Sequence, residues 1–351
     1  MVTGRGLAGV IRVHYSKWIL WGCCLLLVAA NVINIAADLA GMGAGAQLVT
    51  GINSLLWMPL FTVLIVCFLM WRSYQQIARI FKWTTLVLLA YVATAFFANV
   101  DWGAAMLATI KPRISWSREY LAMLLGILGT TISPYLFFWQ ASQEVEEERS
   151  EGRSLARRKG ATGDELRRLR VDVMTGMIAS NFVMYFIILT TAATLHAHGT
   201  TTIQTAKEAA EALRPLAGPV AYWLFALGLI GTGMLGVPIL ASSCAYAIAE
   251  ASAWRGSLER KPRSAPRFYA VLAVALFAGL TIDYAGFDAV RMLFWSAVIN
   301  GALAPPLIAV IVLLTSNKDV MGKHVNSPVL RILGWITFSI MTAATLGMLV
   351  T

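Results

Sequence analysis

Residues 129–140 read GTTISPYLFFWQ, an apolar stretch interrupted by Pro134 and by the hydroxyls of Thr130, Thr131 and Ser133. Proline has no N–H and its ring clashes with the preceding turn, so Pro134 frees carbonyls around Thr130 and Thr131. Irregular backbone at membrane depth persists only where protein or a wet cavity satisfies it. Discontinuous helices of this kind form ion and substrate sites in secondary transporters, with the freed carbonyls near the bilayer midplane. The same residues also allow a plain proline kink, repaired by the hydroxyl of Ser133 or Thr131.

A second constellation lies in NVINIAADLAGMGAGA. Asn31, Asn34 and Asp38 follow one another at three and four residues, which puts them on one helix face. Such a face lines a polar pathway, or leaves Asp38 as an interfacial carboxylate near the outer end of its span. The glycines that follow permit close helix approach. Weaker candidates are Asn181 with Thr190 and Thr191, Asn300 beside Pro305 and Pro306, and the glycines 231, 233 and 236. Glu250 ends its helix just before a run of arginines and is expected to meet them.

None of this is an enzyme's constellation. His14, His196, His198 and His324 lie near span ends or in loops, without a carboxylate or cysteine at metal-site spacing. No P-loop is present, which argues against an ATP-driven pump. Cys23, Cys24, Cys67 and Cys244 all fall in apolar spans and read as small apolar side chains.

The elements that must position these residues follow from composition. The 351 residues are 58% hydrophobic and 13% charged, with a mean hydropathy of +0.69. That excludes an ordinary soluble domain. Charge is confined to short clusters, and the stretches between them are long enough for spanning helices. Nine are expected, near 18–40, 54–71, 83–100, 120–142, 173–196, 219–249, 267–282, 288–314 and 330–350. Stretches such as LLWMPLFTVLIVCFLMW are apolar on every face, whereas a β-barrel strand alternates. The fold class is an all-α polytopic membrane protein in one transmembrane domain.

The net charge of +10 does not point to nucleic acid. Threading nine spans places 22 of the 28 Lys and Arg residues in alternate loops. This positive-inside asymmetry puts the N-terminus in the cytoplasm and the C-terminus across the membrane. Residues 144–172 are then a cytoplasmic loop able to form short amphipathic helices, and 201–218 an extracytoplasmic one. No signal peptide is evident at the basic N-terminus.

NVINIAADLAGMGAGAQLVTG, WTTLVLLAYVATAFF, LGTTISPYLFFWQ and LLTSNKDVMGKHVNS together resemble the Nramp divalent-metal transporters, in order along nearly the whole chain. The resemblance implies a LeuT-like fold of inverted five-helix repeats, with the nine spans as helices three to eleven. The family's first broken helix has no counterpart, so VTGRGLA resembles the end of the second helix. The chain is accordingly expected to be a fragment with an incomplete first repeat.

By the same resemblance, Thr130 takes the position whose carbonyl binds the metal. Ser133 and Tyr135 stand where the family has a methionine and a histidine around Pro134. Methionine sulfur favours softer metals, and a hydroxyl suits harder ones. Ser133 thus suits a partly hydrated Mg²⁺ or Mn²⁺, as in the Nramp-related magnesium transporters. Tyr135 and Gln140 are expected to shape an inner vestibule. Gly41 stands where the family often has a glutamate on its proton route, so the resemblance leaves two readings: Asp38 alone relays protons, or the metal route is passive or weakly coupled.

The expected function is divalent-cation transport in a bacterial inner membrane, the cation being substrate and no cofactor being implied. The expected partners are divalent cations and the lipid bilayer, and the oligomeric state is open. An amino-acid carrier of the same fold class and a non-transporting membrane scaffold are the alternatives.

Overall fold

The computed structural model describes residues 2–71, 83–98, 100–112, 114–150, 162–199, 202–254, 256–286 and 288–351. The basic clusters expected at 72–82 and 151–161, and Arg255, lie outside the described residues. Among the described residues there is no strand.

Twelve helices of eight residues or more order the described chain: α1 (Leu7–His14), α2 (Lys17–Thr50), α3 (Ser54–Trp71), α4 (Leu89–Phe97), α5 (Trp102–Ile110), α6 (Arg118–Thr131), α7 (Pro134–Ser150), α8 (Gly163–Thr194), α9 (Ala221–Ala251), α10 (Pro266–Asp283), α11 (Ala289–Ser316) and α12 (Pro328–Val350). Among the described residues seven spans are long and apolar enough to cross a membrane, with α6 and α7 counted together. The α4–α5 pair makes an eighth only if its 117° bend is taken as one crossing. The apolar but shorter α3 completes the set of nine expected segments.

The third expected span differs most from a plain crossing. Ala98 leaves the helix in an extended conformation, and Asp101 then caps α5 by accepting the Ala104 N–H at 2.9 Å. A capping carboxylate starts a new helix with its own axis, so the chain turns instead of continuing. In the stretch read as a cytoplasmic loop, 144–172, the described residues at its two ends are helical. Its Glu-rich start has high helix propensity and prolongs α7 to Ser150. At its other end Thr162 and Glu165 form a capping box that starts α8 at Gly163, ahead of the expected apolar stretch at 173. The described part of the 201–218 stretch holds the short helices Ala206–Ala210, Glu211–Leu213 and Arg214–Ala217, which bury Ala210, Ala212 and Leu213. The Tyr222 hydroxyl bonds Glu211 there and, with Arg214 beside it, holds that carboxyl below the usual range.

Helix α2 is the axis of the bundle. Ser16 caps its start, and Gly51, at φ 74°, ends it in a left-handed turn whose N–H returns to the Gln47 carbonyl. Its widest interface is with α9, and α10, α11 and α3 also pack on it. Small residues set the spacing. A Cβ on Gly233 of α9 would lie 2.4 Å from Met42 Sδ, and one on Gly279 of α10 would lie 2.5 Å from the Ile35 side chain. The largest apolar cluster fills the space between α2, α3, α9 and α10.

Burial separates centre from rim. Half of the most apolar stretch of α2 and of α9 is buried, and 56% for α11, against 11% for α8 and α12. The rim helices present rows of exposed Ile, Leu and Val, the arrangement a lipid-facing helix needs. Thr190 of α8 still ties inward, donating to the Tyr91 carbonyl of α4 at 2.8 Å.

Candidate functional site

The interruption expected at Pro134 is present. Helix α6 ends at Thr131, Ile132 departs at φ −112° and ψ 60°, and α7 begins at Pro134. The Ile132 N–H still reaches the Leu128 carbonyl (2.7 Å), and the Leu136 N–H turns tightly to the Ser133 carbonyl (3.1 Å). Pro134 supplies no N–H to the carbonyl four residues before it, that of Thr130.

Ser133 occupies the gap. Its side chain is buried, and its hydroxyl donates to the Gly129 carbonyl at 2.6 Å and lies 3.3 Å from the Thr130 carbonyl. Thr130 and Thr131 both turn their hydroxyls back to the Ile127 carbonyl, at 2.8 and 2.9 Å. The hydroxyl repair that the sequence left open is therefore made. It does not consume the site: a hydroxyl has one proton and two lone pairs. Ser133 Oγ and the Gly129 and Thr130 carbonyls form a cluster of three neutral oxygens within one turn.

A neighbouring helix fixes this turn. A Cβ on Gly129 would lie 2.0 Å from the Ala297 carbonyl and 2.4 Å from the Gly301 nitrogen of α11. A Cβ on Gly301 would in turn lie 2.4 Å from the Leu125 carbonyl. Backbone meets backbone here, so both positions require glycine.

Asn31, Asn34 and Asp38 share α2 but serve different partners. Asn31 Nδ2 donates to the Leu240 carbonyl of α9 at 3.0 Å. Asn34 and Asn300 of α11 exchange two amide hydrogen bonds, both 2.9 Å, inside the bundle. Asn34 is thus joined, through Asn300 and its neighbour Gly301, to the oxygen cluster at the break. Asp38 is half-buried, with Oδ2 turned to Gly236 of α9. No hydrogen bond to its carboxylate from the described residues accompanies that contact. Gly41 faces the side chains of Leu293 and Leu229, so its surroundings are apolar.

On α7, the half-buried Tyr135 has its carbonyl bonded by Ser243 Oγ of α9 at 3.3 Å. Gln140 is exposed and donates to Glu144 at 2.9 Å, one turn further along. Glu250 does not simply end its helix: its carboxylate accepts from the Gly9 N–H of α1 and from Ser142 of α7, each at 3.0 Å. Among the described residues no three His, Cys, Asp or Glu side chains gather at metal-binding distance. A cation held at the break would rest on hydroxyl and backbone oxygens.

Sequence reasoning placed the break and singled out Asn300, but missed three pairings: Gly129 with Gly301, Asn34 with Asn300, and Ser142 with Glu250. A small residue beside a break was the only available sign of the first.

The sequence matches a family model over residues 1–351, that of the natural resistance-associated macrophage protein-like proteins, Nramp. The divalent metal cation transporter MntH of Klebsiella pneumoniae (strain 342) is 26% identical over 353 residues, covering 98% of this chain and 79% of the relative. MntH of Caldanaerobacter subterraneus subsp. tengcongensis is 25% identical over 352 residues, covering 97% and 77%. A crystal structure of a mutant manganese transporter of Eremococcus coleocola superposes with a TM-score of 0.70 at 16% identity, covering 98% of this chain and 74% of that one. The same transporter bound to an aromatic bis-isothiourea compound gives 0.69 at 16% identity, covering 97% and 73%. At that identity the likeness shows the fold, which is the LeuT-like one.

Proposed function

The chain belongs to the Nramp family, and from that premise we propose that it carries divalent metal cations across a membrane at the break between α6 and α7. The observation that carries this reading is the oxygen cluster of Ser133 Oγ with the Gly129 and Thr130 carbonyls. Hard divalent cations take oxygen ligands, and Mg²⁺ keeps several of its waters when bound. Thr130 and Ser133 are the cation contacts, and Pro134 keeps the carbonyls available. With no sulfur ligand at Ser133, the site favours Mg²⁺ and Mn²⁺ over softer ions.

The remaining residues take supporting roles. Tyr135 and Gln140 shape the vestibule on the α7 side. Asp38 is the proton-relay candidate, because its carboxylate is half-buried and turned to the small Gly236. Asn31 and Asn34 line the polar face that leads to it and hold α2 against α9 and α11. The bias of basic residues supports a multi-pass inner-membrane protein with a cytoplasmic N-terminus and an extracytoplasmic C-terminus. The exposed apolar faces of α8 and α12 support lipid as the surrounding partner.

Reconstitution tests the reading. Proteoliposomes containing the chain are expected to take up Mn²⁺ and Mg²⁺ faster than protein-free vesicles. Uptake equal to that of empty vesicles would end the transport assignment, and uptake of an amino acid instead would reassign it.

A further inference from the structure

The break uncouples α7 from the helical ladder of α6, so something else must fix where α7 rests. Its polar ties run to α9. At the upper end Ser243 Oγ donates to the Tyr135 carbonyl at 3.3 Å. In the middle Trp139 packs edge-on against Tyr246, with ring centroids 6.0 Å apart. At the lower end the buried Ser142 donates to Glu250 Oε1 at 3.0 Å. The other carboxylate oxygen accepts the Gly9 N–H at 3.0 Å, in the first turn of α1.

One carboxylate therefore fastens three helices. A Cβ on Gly6 would lie 1.9 Å from Glu250 Oε1, so the chain entering α1 makes room for the carboxylate. Hydrogen bonds to an ionised group are the stronger kind, and a helix N-terminus favours a negative charge. The contact is also well placed mechanically. Ser142 lies nine residues beyond Ser133, about 13 Å along the helix axis, so turning α7 by about 10° at the break moves it about 2 Å. That displacement is enough to break a 3.0 Å hydrogen bond.

We propose that Glu250 is a positioning residue for transport, clasping the inner half of the broken span to α9 and α1. A cation held at the break then leaves toward the cytoplasm only when Ser142 parts from Glu250. This rests on the transport reading above and adds a named inner fastening to it. Glu250 touches no cation; it acts through α7.

The test uses the full chain with a reporter Ala247→Cys, at a fully buried position of α9 in the apolar cluster that holds Phe138 of α7. Inside-out vesicles are exposed to a membrane-impermeant maleimide, and labelling at residue 247 is followed by peptide mass spectrometry. Mn²⁺ uptake is measured alongside. Ser142→Ala and Glu250→Ala are each expected to raise the labelling rate about tenfold, the scale of one lost hydrogen bond to a charged group. Ser142→Thr, which keeps the hydroxyl, is expected to label at the parent rate. The double variant Ser142→Ala/Glu250→Ala is expected to label no faster than Glu250→Ala alone, because both remove the Ser142–Glu250 contact. Unchanged labelling in folded single variants, or additive effects in the double variant, would overturn the clasp while leaving Mn²⁺ transport intact. Absence of Mn²⁺ uptake by the parent protein would instead remove the transport reading, and the gating role with it.

Discussion

Ser133 gives its only proton to the Gly129 carbonyl, and the rest of its oxygen is left to accept or to coordinate. That division lets one side chain both mend a helix break and serve a cation. Asn34 and Asn300 behave differently, since each amide spends its donor and acceptor on the other. Replacing Asn300 with Ala strands a buried amide, a loss of about 1–3 kcal/mol by the scale of unsatisfied groups. In membranes such pairs average nearer 0.6 kcal/mol. Thermal unfolding in detergent is expected to shift down by several degrees, and an unchanged midpoint would show that the pair contributes nothing. Asp38→Asn is expected to flatten the pH dependence of Mn²⁺ uptake, because an amide cannot take up and release a proton as a carboxylate does. An identical pH profile would clear Asp38 of relaying protons. These side chains were legible as types on a helix face, but their partners were not: the Asn34–Asn300 pair spans 266 positions. A single sequence carries no sign of which amide meets which.

Between elements, the crossing of α6 and α11 is set by glycine. With a Cβ on Gly301 only 2.4 Å from the Leu125 carbonyl, the obstacle is backbone and cannot swing aside. Gly301→Val is expected to cost about 1–3 kcal/mol through overpacking and to lower Mn²⁺ uptake by displacing the turn at Gly129. Uptake and stability equal to the parent's would mean that the two helices separate freely. Hydropathy located each of these helices, because lipid selects for unbroken apolar stretches. It misplaced their ends where charge and helicity part company. The Glu-rich end of α7 and the Arg-rich start of α8 are polar and still helical, one by propensity and the other by the Thr162–Glu165 capping box. The turn between α4 and α5 hid in a single capping carboxylate, Asp101.

For the whole molecule, the arrangement is a buried centre of α2, α9 and α11 with the broken α6–α7 span packed on it, and a lipid-facing rim of α8 and α12. The break is the place where one crossing gives up its internal hydrogen bonds, and the surrounding helices keep it in register. The fold class was readable in the sequence because the solvent writes itself into composition. The chemistry at the break was half readable: proline announced the freed carbonyls, while only the folded chain shows that Ser133 gathers two of them. The most direct measurement compares dissociation constants for Mn²⁺ and Mg²⁺, by calorimetry, in the parent chain and in Ser133→Met. If the cation sits on Ser133 and its carbonyls, the thioether shifts the preference toward Mn²⁺ by about tenfold, near 1.4 kcal/mol. The same Mn²⁺-to-Mg²⁺ ratio in both proteins would contradict the account.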